Sequence, residues 1–350
     1  MRRGRGLMGR AATVIALMIA AAGCGGAAAS GGDAGAPPPD GATRDGSIST
    51  GSTTDGSTSD GPASTGGRGR TANKVVFVVA MENAEKGLFE DATNFPYLTG
   101  LVAQGARADA FMDLLAEGTP SEPHYVLMEA GTNVFTDHSF TDNSSPSAAN
   151  STASTDHLVT QLGAAGLTWT SYQEGMGAET GSCPISGVGY YRPRHNPFVF
   201  FQDVAGMPPS KTAPICAAHH KPVSALAADL ASGSVASYNF ITPNLCHDAH
   251  GHDDCPPADL PDAWLASTFP AILSYVAAHD GVLFVVWDEA YAGQVLPFLA
   301  LGPHVKAGYA SSVSYDHRSF LKSIEEILGV PALPSVAGSN DLADLFQHFP

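Results

Sequence analysis

Basic residues are scarce in this chain. Lys and Arg number 17 against 34 Asp and Glu, for a formal net charge of -17 with histidine neutral. Nucleic acid is therefore excluded as a partner, because its binding rests on basic side chains that displace counterions from phosphate. Long apolar runs are missing too: Ala11 to Ala22 falls short of the ~20 residues a membrane-spanning helix needs. Histidine is absent before residue 120, and all 13 follow it. The charge therefore becomes much less negative as pH falls through about 6.5, which suits work in mildly acidic surroundings. There are only 5 cysteines.

The first of these, Cys24, closes an export signal. Arg2, Arg3, Arg5 and Arg10 precede the apolar Ala11 to Ala22 run, the layout of a secretory signal over residues 1–24. The stretch ends in Ala21-Ala22-Gly23-Cys24, which resembles the lipobox of bacterial lipoproteins, with Ala21 where Leu is usual. That resemblance implies diacylation of Cys24 and a membrane anchor at the cell envelope, since two acyl chains suffice for stable attachment; simple secretion is the alternative. Residues 25–72 are mostly Gly, Ala, Ser, Thr, Asp and Pro, with little that could build a core, and read as a disordered low-complexity linker. The remaining residues, 73–350, are enough for one sizeable unit. In an oxidising compartment Cys183, Cys216, Cys246 and Cys255 are expected to form two disulfides. Three pairings are possible, and proximity favours Cys246 with Cys255 and Cys183 with Cys216; free thiols are the alternative.

From Asn73 the pattern changes to apolar strands alternating with helices. Strands are expected at Val75 to Ala80, Ala106 to Phe111, Leu167 to Tyr172, Val235 to Thr242, Val282 to Trp287 and Pro297 to Leu301. Helices are expected at Phe95 to Gln104, Tyr125 to Ala130, Thr155 to Ala165, Val223 to Ala231, Phe269 to His279 and Ser319 to Leu328. This alternation predicts an α/β fold with a mostly parallel central sheet and helices on both faces. Residues 141–155 and 175–222 read as loop insertions.

Polar clusters stand where these strands stop. Glu82-Asn83 follows the first strand and Asp288-Glu289 follows the fifth, at carboxyl ends where open α/β sheets bind ligands. Either pair alone could merely cap a turn. Together, acidic neighbours with no nearby Lys or Arg call for an offsetting charge, and a hard divalent cation on carboxylate and amide oxygens supplies it. Ser121, between Pro120 and Pro123, falls at a helix start, where backbone N–H groups favour anions; an ordinary N-cap serine is the alternative. The run Asn244 to Asp254 is dense in His and Asp. It reads as phosphate contacts with a general acid, as a separate zinc site, or as a solvated loop clamped by cysteines. Arg192, Arg194 and His195 concentrate scarce positive charge that suits an anionic substrate, or simply form a surface loop.

This ordered series resembles the phosphoesterase family of bacterial and fungal acid phosphatases and phospholipases C. The resemblance runs from about residue 74 to 347 through Met81-Glu82-Asn83, Ser121-Glu122-Pro123-His124-Tyr125, Arg194-His195-Asn196-Pro197-Phe198, Ile241 to Asp248 with His250, Trp287-Asp288-Glu289, Gly302-Pro303, His317 and Ile324-Glu325-Glu326. It implies an alkaline-phosphatase-like fold, Glu82, Asn83, Ser121, Asp288 and Glu289 as metal ligands, and Ser121 as the nucleophile that takes up the phosphoryl group. His195 and His250 would contact phosphate or protonate the leaving oxygen, and His124, Arg194, Asn196, Asn244 and His247 would bind substrate. Oxygen ligands favour calcium, magnesium or manganese, while nearby histidines leave zinc or iron open. Glu122 and His124 replace the family's usual Gln and Asn, which makes Glu122 an expected repulsion and His124 an expected extra phosphate donor. The activity expected is a phosphomonoesterase with an acidic optimum acting through phosphoserine. A phospholipase C-type phosphodiesterase is the runner-up, and a non-catalytic anion-binding surface lipoprotein is the reading from another class.

Overall fold

The computed structural model describes residues 74–177, 181–256, 260–290 and 293–349. The expected signal, the lipobox Cys24 and the linker 25–72 lie outside the described residues. The helices are α1 (Pro96–Val102), α2 (Ser121–Ala130), α3 (Leu158–Ala164), α4 (Gln202–Ala205), α5 (Pro214–His219), α6 (Leu226–Ser232), α7 (Pro261–Ala278) and α8 (His317–Leu328). The strands are β1 (Val76–Met81), β2 (Ala106–Met112), β3 (Trp169–Gln173), β4 (His220–Pro222), β5 (Tyr238–Thr242), β6 (Val282–Trp287), β7 (Val295–Leu296), β8 (Phe298–Leu301) and β9 (Tyr309–Asp316).

They form one sheet in the order β4-β3-β5-β1-β6-β8-β2, with β9 and β7 also pairing with β2. From β4 to β6 every pairing is parallel, whereas β8 runs antiparallel between β6 and β2. Because the sheet is covered on both faces, β1 and β6 are apolar at every position, and alternate residues serve opposite cores. In β1, Val76, Val78 and Ala80 face one cluster, with Tyr125, Val126, Phe320 and Ile324 from α2 and α8. Phe77, Val79 and Met81 face the other, with Leu98, Leu101, Leu265 and Phe269 from α1 and α7. β6 divides in the same way, so the expected α/β architecture is present.

Several elements depart from the sequence reading. α7 starts at Pro261 rather than Phe269 and carries Pro270 inside it. β9 is absent from that reading: it is rich in serine, with only Ser311 and Tyr315 buried, and so lacks a continuous apolar run. Residues 175–222 are more than an insertion, since they hold α4, α5 and the sheet strand β4. A disulfide between Cys183 and Cys216 braces that region, and one between Cys246 and Cys255 closes the loop after β5. Among the described residues no helix is long and apolar enough to cross a membrane.

Candidate active site

The strands β1, β3, β5 and β6 point the same way, and β2, antiparallel to β8, joins them. Their carboxyl ends therefore share one edge of the sheet. Each delivers an acidic residue there: Glu82 after β1, Asp113 after β2, Glu174 after β3, Asp248 beyond β5 and Asp288 after β6.

Ser121 opens α2 and is buried. Its hydroxyl lies 3.0 Å from Glu82 Oε2 and 3.2 Å from Glu289 Oε1. Asp288 is fixed by backbone donors, with Oδ1 accepting from the N–H of Asn83 at 3.0 Å and from that of Glu289 at 2.6 Å. Asn83 reaches it in a left-handed conformation, φ 33°, which asparagine tolerates better than most residues. Asp248 joins through its carbonyl, which accepts the Glu82 N–H at 2.7 Å. His195 spans the two acids, with Nε2 at 3.2 Å from Glu82 and Nδ1 at 3.6 Å from Asp248, and its ring stacks on Tyr125.

These charges are crowded and dry. Burial, then the neighbouring carboxylates, push Asp288 well above the usual carboxylate range. Glu82 rises likewise through burial and the charge of Asp248, and Asp248 through burial and that of Asp288. His195 is held neutral by burial and by the positive charges of Arg194, His250 and Arg192. Four buried oxygens, Glu82 Oε1, Asn83 Oδ1, Asp248 Oδ2 and Asp288 Oδ2, make no well-formed hydrogen bond, and two of them, Glu82 Oε1 and Asp248 Oδ2, face the His195 ring as an ion pair would. Such a set suits a hard cation, since buried acceptors left unmatched are costly. Among the described residues no group of three or more His, Cys, Asp or Glu side chains is arranged to hold a metal ion.

Around this centre several of the expected substrate contacts already have partners within the protein. His124 has both ring nitrogens engaged at 3.0 Å, by the Pro120 carbonyl and by Asp113 Oδ1, so it presents no spare donor to phosphate. Burial opposes its protonation, but Asp113 and Asp288 outweigh burial and raise its pKa. Asn196 is also spent internally, donating to the Tyr191 hydroxyl and meeting His220 Nε2. Asn244 Oδ1 accepts the Cys246 N–H, and His247 Nδ1 lies 2.9 Å from Glu174, so these two shape the loop. His250 is exposed at the rim, its N–H on Asp248 Oδ1. Arg194 is half-buried, and its Nε has no partner. Nor is the α2 start rich in free donors, because the Glu122 N–H goes to Asn143 Oδ1 and Pro123 has none. Glu122, expected to repel substrate, instead accepts from the Ser144 N–H and the Asn150 amide. The histidine count also overstated the charge available at low pH, since burial lowers His220 and His317 to about 4. Asp113 and Asp248 were not singled out, though the rule that found Glu82 reaches Asp113 directly.

The model of the Phosphoesterase family matches residues 77–331, a span that takes in this whole edge of the sheet. The chain belongs to the Phosphoesterase family. The phosphate-repressible acid phosphatase of Penicillium chrysogenum is 26% identical over 276 residues, covering 69% of this chain and 64% of the relative. An acid phosphatase of Aspergillus fumigatus is 26% identical over 268 residues, covering 73% and 55%. The chain thus spans somewhat less than two-thirds of these relatives' length. Among solved structures, murine ectonucleotide pyrophosphatase / phosphodiesterase 5 shares the fold, with TM-score 0.51 and 9% identity, covering 78% of this chain and 100% of that one. A Vibrio parahaemolyticus protein described as belonging to the alkaline phosphatase superfamily aligns with TM-score 0.48 and 12% identity, covering 78% and 71%.

Proposed function

We propose that the chain is a metal-dependent phosphoric ester hydrolase, and within that class a phosphomonoesterase of acid-phosphatase type. The observation that carries this reading is the Ser121 hydroxyl, buried and set between the carboxylates of Glu82 and Glu289 beside unmatched oxygens. The names of the two fungal relatives support the substrate class. A divalent cation held by Glu82, Asn83, Ser121, Asp288 and Glu289 would supply Lewis-acid stabilisation of the phosphoryl charge and a lower pKa for the serine. Its all-oxygen donors favour calcium, magnesium or manganese over zinc or iron.

Ser121 Oγ attacks phosphorus in line with the ester oxygen and passes its proton toward the carboxylates it already meets. The Ser–O–P bond forms as the ester P–O bond breaks, and the leaving oxygen takes a proton from His250 at the rim. Water then attacks the phosphoserine and gives its proton to the His250 imidazole, the Ser–O–P bond breaks, and Ser121 Oγ regains its proton from the carboxylates as phosphate leaves. Arg194 and His195 line the phosphate position, the arginine as the charge that offsets the transferring group.

Ser121→Ala should lower kcat on nitrophenyl phosphate by several orders of magnitude with folding intact by circular dichroism. Retained activity would sink the mechanism. Elemental analysis, followed by chelation and replacement, tests the cation. A preference for nitrophenyl phosphorylcholine over the monoester would point to a phospholipase C-type diesterase. The two disulfides agree with an exported protein. The anchor at Cys24 and the linker over residues 25–72 belong to the same proposal, and a Cys24→Ala chain that still partitioned with membranes would overturn the anchor.

A further inference from the structure

Next to the Ser121 site is a cavity of about 240 Å³, with Asn143, Ser144 and Ser145 on one side and Gly189, Arg192 and Arg194 on the other. Each wall is tied to the site. Glu122, the residue after Ser121, holds the first wall through three hydrogen bonds. Its N–H donates to Asn143 Oδ1 at 2.9 Å, its Oε2 accepts the Ser144 N–H at 2.8 Å, and its Oε1 accepts Asn150 Nδ2 at 3.0 Å. The second wall ends at Arg194, the residue before His195. The charge of Arg194 acts on Glu82, Asp248 and Glu122 alike.

The chemistry of the cavity is opposite to that of the chain as a whole. Two arginines, two serines and an asparagine line it, and no acidic residue does. The nearest carboxylate along the chain, Asp142, accepts the Ser144 hydroxyl at 2.9 Å. Arg192 is oriented in advance, because its Nη1 donates to the carbonyls of Gly189 and Tyr191 at 2.7 and 2.9 Å. A guanidinium fixed in this way suits planar carboxylate or phosphate oxygens. The volume is below the roughly 300–1,000 Å³ of sites that enclose drug-sized ligands. It therefore fits a small polar group and not a diacylglycerol.

We infer that this cavity receives the leaving group of the ester and selects leaving groups that carry a second anionic group, a carboxylate or a further phosphate. Glu122 is the positioning residue for its wall. This explains why an acid stands where the family usually has Gln: both carboxylate oxygens face N–H donors, and an amide would turn its NH₂ against one of them. The inference rests on the hydrolase reading above. The reaction is the same hydrolysis, with only the alcohol released being specified.

The test compares kcat/KM of the full chain, loaded with its cation, for 3-phosphoglycerate and for glycerol 3-phosphate, which differ by a carboxylate in place of a hydroxymethyl group. A charge-assisted contact predicts a preference for 3-phosphoglycerate of roughly tenfold or more. Arg192→Gln should collapse that ratio toward one, Arg192→Lys should keep part of it, and Glu122→Ala should lower it mainly through KM. Equal turnover of the two esters by the unaltered chain, or a ratio unmoved by Arg192→Gln, overturns the inference. Hydrolysis of nitrophenyl phosphate but of neither ester also overturns the inference, whereas hydrolysis of none of the three overturns the hydrolase reading itself.

Discussion

At the scale of single residues, strain marks the site. Ala249, directly after Asp248, has φ 79°, a left-handed conformation that costs an alanine what it would not cost glycine. Ala249→Gly should raise stability by about 0.5–1 kcal/mol, less whatever the freer unfolded chain takes back, and thermal denaturation reads the difference. If the strain also holds Asp248 in place, kcat falls in the same variant. The legibility of the site follows from the same local rules. Glu82 and Asp288 could be read because each ends an uninterrupted apolar strand, and Ser121 because prolines bracket it. The internal partners of Asn196 and His247, which are His220 and Glu174, come from other parts of the chain, whereas His124 meets Asp113 only 11 residues away. Nothing in the neighbouring sequence shows that a polar atom is already engaged.

At the scale of elements, the two disulfides have different work. Cys183 and Cys216 are 33 residues apart, Cys246 and Cys255 only 9. Chain entropy assigns about 4 kcal/mol to the longer loop and about 2 to 3 kcal/mol to the shorter one. Replacing both cysteines of the long loop by serine should therefore lower Tm more. Replacing Cys246 and Cys255 should have the larger effect on kcat, because their loop carries Asp248 and His250. Equal losses of activity in the two double variants would refute this division. The elements themselves were legible in proportion to their burial. β1 and β6 are buried at every position and could be read directly, whereas β9, a serine-bearing strand beside β2, could not. The α8 start is set by Asp316, whose side chain accepts from the Arg318 and Ser319 N–H groups; the apolar pattern placed it at Ser319.

At the scale of the whole molecule, buried titrating groups define where the fold is most stable. His157 is buried between Glu129 and Asp203; burial opposes its charge, yet both hydrogen bonds outweigh that and raise its pKa to about 9. Its folded pKa exceeds the unfolded 6.5, so its contribution is complete below pH 6.5 and is lost as pH rises through 9. Glu325, pushed up to about 8 chiefly by burial, also favours its protonated form and loses stability between pH 4.5 and 8. His220 acts in the other direction: burial lowers it to about 4, so its contribution is complete above pH 6.5 and is lost as pH falls through 4. The Tm of the domain should therefore peak at about pH 6 and fall on both sides. His157→Asn should flatten the alkaline limb, and an unchanged limb would remove His157 from the account. One further consequence comes from α2, all ten residues of which are buried. A helix with no exposed face has no partial opening available to it, so its amide protons should exchange with solvent only when the whole domain unfolds. The helix that carries Ser121 is then among the last parts to fail. On heating, catalysis and the fold should be lost together, in a single transition.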